Sequence, residues 1–139
     1  MVSRILVPMD DSEMAERALR HALDTYPEAE ITVLHVVGEP SGMMGEATKL
    51  ALADDIEATA DDLASIVFGR AAAVAEEYDA EVETSVDMGH PARAIVNQAG
   101  DFDMVVIGTH GGGLSDRLFI GDVARRVFRR SPAPVTVIR

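Results

Sequence analysis

Five glycines, Gly108, Gly111, Gly112, Gly113 and Gly121, fall within "GTHGGGLSDRLFIG", between the apolar run "DMVVIG" and the helical pattern "GDVARRVFRRS". Backbone N–H groups in a "GGG" segment can form an anion-binding concavity, because no side chain stands in the way and positive φ is open to them. The first N–H groups after Gly121 would lack helical partners and point at the same anion. His110 sits inside the segment, where it could touch a phosphate or reach a loop carbonyl. Charge agrees in sign: from residue 108 onward six arginines stand against only Asp116 and Asp122. Two readings stay open on this chemistry, a phosphate site or a turn rich in glycine.

A second residue with chemistry is Asp10, in "RILVPMDDSE". An ionised carboxylate there is an acceptor for hydroxyl donors. Familiar nucleotide motifs are missing. There is no G-x-x-x-x-G-K-[ST], the first strand–helix turn lacks G-x-G-x-x-G, and no G-x-S-x-G elbow is present. No residue looks like a general base with an orienting partner, so no catalytic residue is assigned. His35, alternating with apolar neighbours, reads as a satisfied buried polar group. His90, just before Pro91, falls near the rim of a site at the strand ends.

These residues need elements to position them. "RILVPMD", "EITVLHVV", "EVETSVDMG", "DMVVIGT" and "APVTVIR" read as strands, from their apolar and β-branched content. Helical patterns separate them: one capped by Ser12 and stopped by Pro27, one from about 46 to 78 interrupted at Gly69, one starting at Pro91, and one after Gly121. Gly69 reads as a bend or a point of close packing. Strand–helix alternation of this kind predicts an α/β protein with three α/β/α layers and a five-stranded, mostly parallel sheet. Ligands of such sheets sit at the carboxyl ends of the strands, where strand order reverses. The segments after the first, second and fourth strands are the candidates.

The chain has 139 residues, room for one domain over 1–139 with a hydrophobic core. It has no cysteine, which excludes disulfides and thiolate metal sites. It carries 24 acids against 12 bases, a net charge of −12. That balance argues against nucleic acid and anionic membrane as partners, and suits a salt-rich, halophilic cytoplasm. No apolar run reaches the length of a membrane span, and no signal peptide is apparent, so a cytoplasmic protein is expected.

The spacing Gly108, two residues, Gly111, nine residues, Gly121 resembles the glycine motif of the universal stress protein family. "GTHGGGLSDRLFIGDVARRVFRRSPAPVTVIR" is similar to that family's C-terminal segment, and "RILVPMDDSEMAERALRHA" to its opening strand and helix. "ITVLHVV" and "MGHPARAIVNQAGDFDMVVIGTHG" extend the resemblance over nearly the whole chain, with about 39–80 generic. The resemblance implies a fold like the adenine nucleotide alpha hydrolases and a site for ATP, with ADP or AMP as alternatives. By it, Asp10 contacts the nucleoside, Pro8 and Met9 line the base, and Val36 touches adenine. Ile107, Gly108, Gly111, Gly112, Gly121, Asp122 and Val123 would hold ribose and phosphates.

One position departs from the family pattern. Asp122 stands where the motif has serine or threonine. A carboxylate cannot donate to phosphate and repels it. Asp122 could cap the last helix, share a Mg2+ ion with the phosphates, or mark a site for less charged nucleotides. A nucleotide-free protein-interaction module and a slow ATPase are the other functional readings. The terminal "PAPVTVIR" is expected at a sheet edge, where a second copy could pair with it in a homodimer. A protein partner of unknown kind is expected as well.

Overall fold

A computed structural model describes residues 1–37, 56–109 and 122–139. The elements are β1 (Arg4–Pro8), α1 (Glu13–Thr25), β2 (Glu30–Val37), α2 (Ile56–Glu76), β3 (Glu83–Met88), α3 (Pro91–Ala99), β4 (Met104–Gly108), α4 (Asp122–Arg130) and β5 (Val135–Ile138). The strands lie in the order β3-β2-β1-β4-β5, and all four neighbouring pairs run parallel. The expected three-layer α/β/α architecture with five strands is what forms, with the sheet wholly parallel.

Strand pleating divides the apolar side chains between two cores. Ile5 and Val7 of β1, Ile31 and Val33 of β2 and Val106 of β4 face α1 and α2. Leu6, Leu34, Val36, Val105 and Ile107 face the opposite way, against α3 and α4. This double burial is why β1, β2 and β4 are apolar at nearly every position, as interior strands of a parallel sheet must be. The edge strand β3 is only partly buried and reads more polar.

Local signals place the helix ends. Ser12 caps α1, its Oγ accepting from the Ala15 N–H at 3.1 Å, a contact worth about 1 kcal/mol. Glu13 and Glu16 add favourable charge to that first turn. Pro91 opens α3, and the cap position at its other end is Gly100. Two expectations need correction. Gly69 is exposed, and a Cβ there would meet nothing within 4 Å, so it is not a point of close packing. Asp122 is the first residue of α4 and not the residue preceding it, so it lies in the first turn and not at the cap.

Candidate functional site

The sheet reverses its order between β1 and β4, and there the two strands part. Their register pairs Ile5 with Met104 and Leu6 with Val105. Beyond this each strand bonds away from the other. The Met9 N–H donates to Leu34 O at 2.8 Å, on the β2 side, and the Thr109 N–H donates to Ile138 O at 2.9 Å, on the β5 side. A cleft opens between them at the carboxyl ends, as the topology requires.

Seven of the predicted residues border this cleft. Pro8 and Asp10 come from the end of β1, Val36 from β2, Ile107 and Gly108 from β4, and Val123 from α4. Met9 borders it too, although it is only 4% exposed and belongs to the core with Ile5 and Val7. The side wall adds Pro91 and Ile95 of α3. The expectations for His110, Gly111, Gly112 and Gly121 lie outside the described residues. Asp122 is exposed and precedes Val123 in the first turn of α4.

Asp10 is held by local chemistry. Its Oδ1 accepts from the Ser12 N–H at 2.9 Å, an Asx-type turn that carries the chain from β1 into α1. Arg70 of α2 ties the neighbouring residue, donating from its guanidinium to the Asp11 carbonyl and, at 2.8 Å, to Glu16 Oε1. Behind Asp10, Met9 is fixed at both backbone groups. Its N–H reaches Leu34 O, and its carbonyl accepts at 2.8 Å from Nδ1 of His35, a ring only 1% exposed. A carbonyl only accepts, so this contact places a proton on Nδ1. His35 is therefore the satisfied buried group expected, and also a positioning residue for the segment that ends in Asp10. Apolar alternation around it signals burial but not this partner, which comes from β1.

Gly108 has a reason for being glycine that spacing alone does not reveal. A Cβ built on it would lie 2.5 Å from the Met14 carbonyl oxygen and 2.8 Å from its carbonyl carbon. The first turn of α1 packs directly on the end of β4. Sequence reading assigned this glycine to a ligand, while its nearest neighbour in the structure is backbone.

Electrostatically, the described lining holds one formal charge, that of Asp10, and no arginine or lysine. Its surface is otherwise apolar, with the hydroxyls of Ser12 and Thr109 at hand. Such a pocket favours a flat apolar group with hydroxyl donors. Phosphates find no side-chain cation among these residues. Among the described residues no group of three His, Cys, Asp or Glu side chains is placed to hold a metal ion. His90, expected near the rim, is not among the residues that line this cleft, although Pro91 after it is; its Nε2 accepts from Arg126 at 2.8 Å.

An open, wholly parallel sheet in this order, covered by helices and with a cleft at the β1/β4 crevice, defines a three-layer α/β protein. The universal stress protein family model matches residues 1–139, and the chain belongs to that family. Similar relatives include universal stress protein MJ0577 of Methanocaldococcus jannaschii, 28% identical over 155 residues, covering 100% of this chain and 96% of the relative. YxiE of Bacillus subtilis is 27% identical, with 100% of both chains covered. The solved structure of MJ0577 superposes with a TM-score of 0.72, covering 99% of this chain and 96% of that one. A universal stress protein in complex with cAMP has a TM-score of 0.64 at 23% identity, covering 99% and 97%. One from Arabidopsis thaliana with AMP bound has a TM-score of 0.56 at 15% identity, covering 98% and 90%.

Proposed function

We propose that this protein binds an adenine nucleotide, ATP or alternatively ADP or AMP, in the β1/β4 cleft and serves as a nucleotide-responsive stress or signalling protein. The observation that carries this reading is the convergence of Asp10, Val36, Ile107 and Val123 on one cleft from four elements. Val36 and Ile107 offer apolar faces to the base, and the Asp10 carboxylate accepts from ribose hydroxyls. That two proteins of the same fold hold cAMP and AMP supports this fold as a seat for such a ligand. The phosphates would extend toward residues 110–121 and the free N–H groups of the α4 N-terminus.

Asp122 argues for weak affinity toward the more highly charged forms. It adds negative charge at the helix start where phosphates would approach. It also keeps alive a second reading, a nucleotide-free interaction module of the same fold working through a protein partner. In either role the chain forms a homodimer through β5, an outer strand of the sheet.

Calorimetric titration with ATP, ADP and AMP, with and without Mg2+, tests the proposal. We expect binding that is lost in Asp10→Ala. Asp122→Ser should tighten ATP by about 1–2 kcal/mol, since a donor replaces a repelling charge. If Mg2+ bridges Asp122 to the phosphates, that variant instead loses the Mg2+-dependent part of binding. Absence of binding to both the parent and the Asp122→Ser protein would leave the interaction module.

A further inference from the structure

A groove of about 410 Å³ runs between α3 and α4, and it shares no described lining residue with the cleft. His90, Arg93 and Asn97 line it from one side and Arg126 and Arg130 from the other. The spacing is helical on both sides. Residues 93 and 97 are one turn apart on α3, and 126 and 130 one turn apart on α4, so two rows face each other. The α3 row from 90 to 97 spans about 10 Å, more than a single small anion occupies.

Every polar side chain lining this groove can donate. Arginine and the asparagine amide bring N–H groups, and His90 is fixed as a donor by its neighbour. Arg126 Nη1 can only donate, so His90 Nε2, at 2.8 Å, must accept and the ring proton sits on Nδ1. That Nδ1 is buried and has no hydrogen-bond partner among the described residues. An unsatisfied buried donor is costly, and an acceptor entering beside the ring would relieve it.

The unpaired arginines sharpen the point. The protein carries twice as many acids as bases, and Arg20 and Arg70 pair with carboxylates, Arg20 with Glu16 and Glu77 and Arg70 with Glu16, whereas Arg4, Arg17, Arg125 and Arg129 show no such pair among the described residues. Among the described residues, Arg93, Arg126 and Arg130 form no ion pair with a carboxylate. No acid is among the described residues that line the groove. Three guanidiniums gathered in a concave site of an acidic protein match oxyanions in charge and in fork geometry.

We propose that the α3/α4 groove is a second anion site, separate from the cleft, that binds a short linear polyphosphate. The proposal does not rest on nucleotide binding in the cleft. Its test is titration of the full chain with inorganic tripolyphosphate at near-physiological salt, followed by amide and imidazole NMR shifts. The expected result is saturable binding that perturbs His90, Arg93 and Arg126. It should fall at least tenfold in Arg93→Gln/Arg130→Gln. The charge-matched variant Arg125→Gln/Arg129→Gln, altered on α4 outside the groove lining, should bind like the parent. All four arginines are exposed, so both variants should fold, which thermal melting checks. Equal loss in the two variants would mean general charge attraction and overturn the proposal. So would shifts confined to residues 107–109 and 122–123, or binding of a glutamate-rich peptide in the groove with none of tripolyphosphate.

Discussion

The imidazole of His35 reaches out of β2 and donates from Nδ1 to the main-chain carbonyl of Met9 at 2.8 Å. The bond crosses from one strand to the segment that delivers Asp10. Replacing His35 with leucine removes the donor to the carbonyl of the buried Met9, at a cost of about 1–3 kcal/mol. Adenine-nucleotide affinity should drop as well, although His35→Leu leaves Asp10 in place. Thermal unfolding and titration of the same preparations measure the two effects. His35→Gln, which keeps a donor, should recover part of both, a rescue that a merely space-filling role would not produce.

Glycine substitutions at two positions should act with opposite sign. Gly108→Ala drives a methyl into the Met14 carbonyl, where backbone cannot easily yield. Destabilisation of about 1–3 kcal/mol is expected, as for overpacking generally. Gly69→Ala lies in an exposed helical position with open space around it and should stabilise by about 0.5–1 kcal/mol. Urea denaturation of both variants checks the pair.

Acid should loosen the end of the sheet opposite the cleft. Asp103 Oδ2 accepts from the N–H groups of Ser3 and Arg4, both at 2.9 Å. These two backbone bonds hold its carboxyl below the usual aspartate range. A depressed carboxylate contributes stability above its unfolded pKa and loses it as pH falls through the folded value, here below about pH 4. Asp103→Asn cannot ionise, so its melting temperature should fall less steeply than the parent's between pH 5 and pH 3, a range set by about one unit on either side of that limit.

Dimerisation through β5 predicts a specific proline effect. The Val105 N–H donates to Pro134 O and the Thr109 N–H to Ile138 O, so even-numbered residues of β5 turn their backbone toward β4. Val135 and Val137 therefore present theirs to the open edge. Val137→Pro removes an outward N–H and spares the ladder to β4. Sedimentation should show a dimer for the parent and for Val137→Ala, and a monomer for Val137→Pro. A parent that stays monomeric at tens of micromolar, a concentration at which contacts of about −8 kcal/mol would already assemble, would refute the edge pairing.

Much of this architecture is legible in the sequence because local and global signals agree. β2 runs from Glu30 to Val37, the stretch whose β-branched residues announce it, and Ser12 caps α1 as its type suggests. The cleft was legible in part. Asp10, Val36 and Ile107 follow from strand ends and from family resemblance. What could not be read depends on contacts between distant segments. The Met14 carbonyl against Gly108, the Met9 partner of His35 and the facing rows of hydrogen-bond donors on α3 and α4 exist only once the chain has closed. Gly69 misled because glycine in a helix has the same letter whether it packs or is exposed.

The central position of β1 has a consequence for how the chain reaches this state. Asp103 holds Ser3 and Arg4 across 100 and 99 residues of sequence. β1 is synthesised well before β4, so one of its edges must wait. Until β4 follows, Ile5, Leu6 and Val7 belong to a strand with an open side, the kind of surface that recruits other unfinished chains. Long-range parallel pairing is also slow to form. The strand that anchors the finished sheet is thus the one most exposed to misassembly while the sheet is being made.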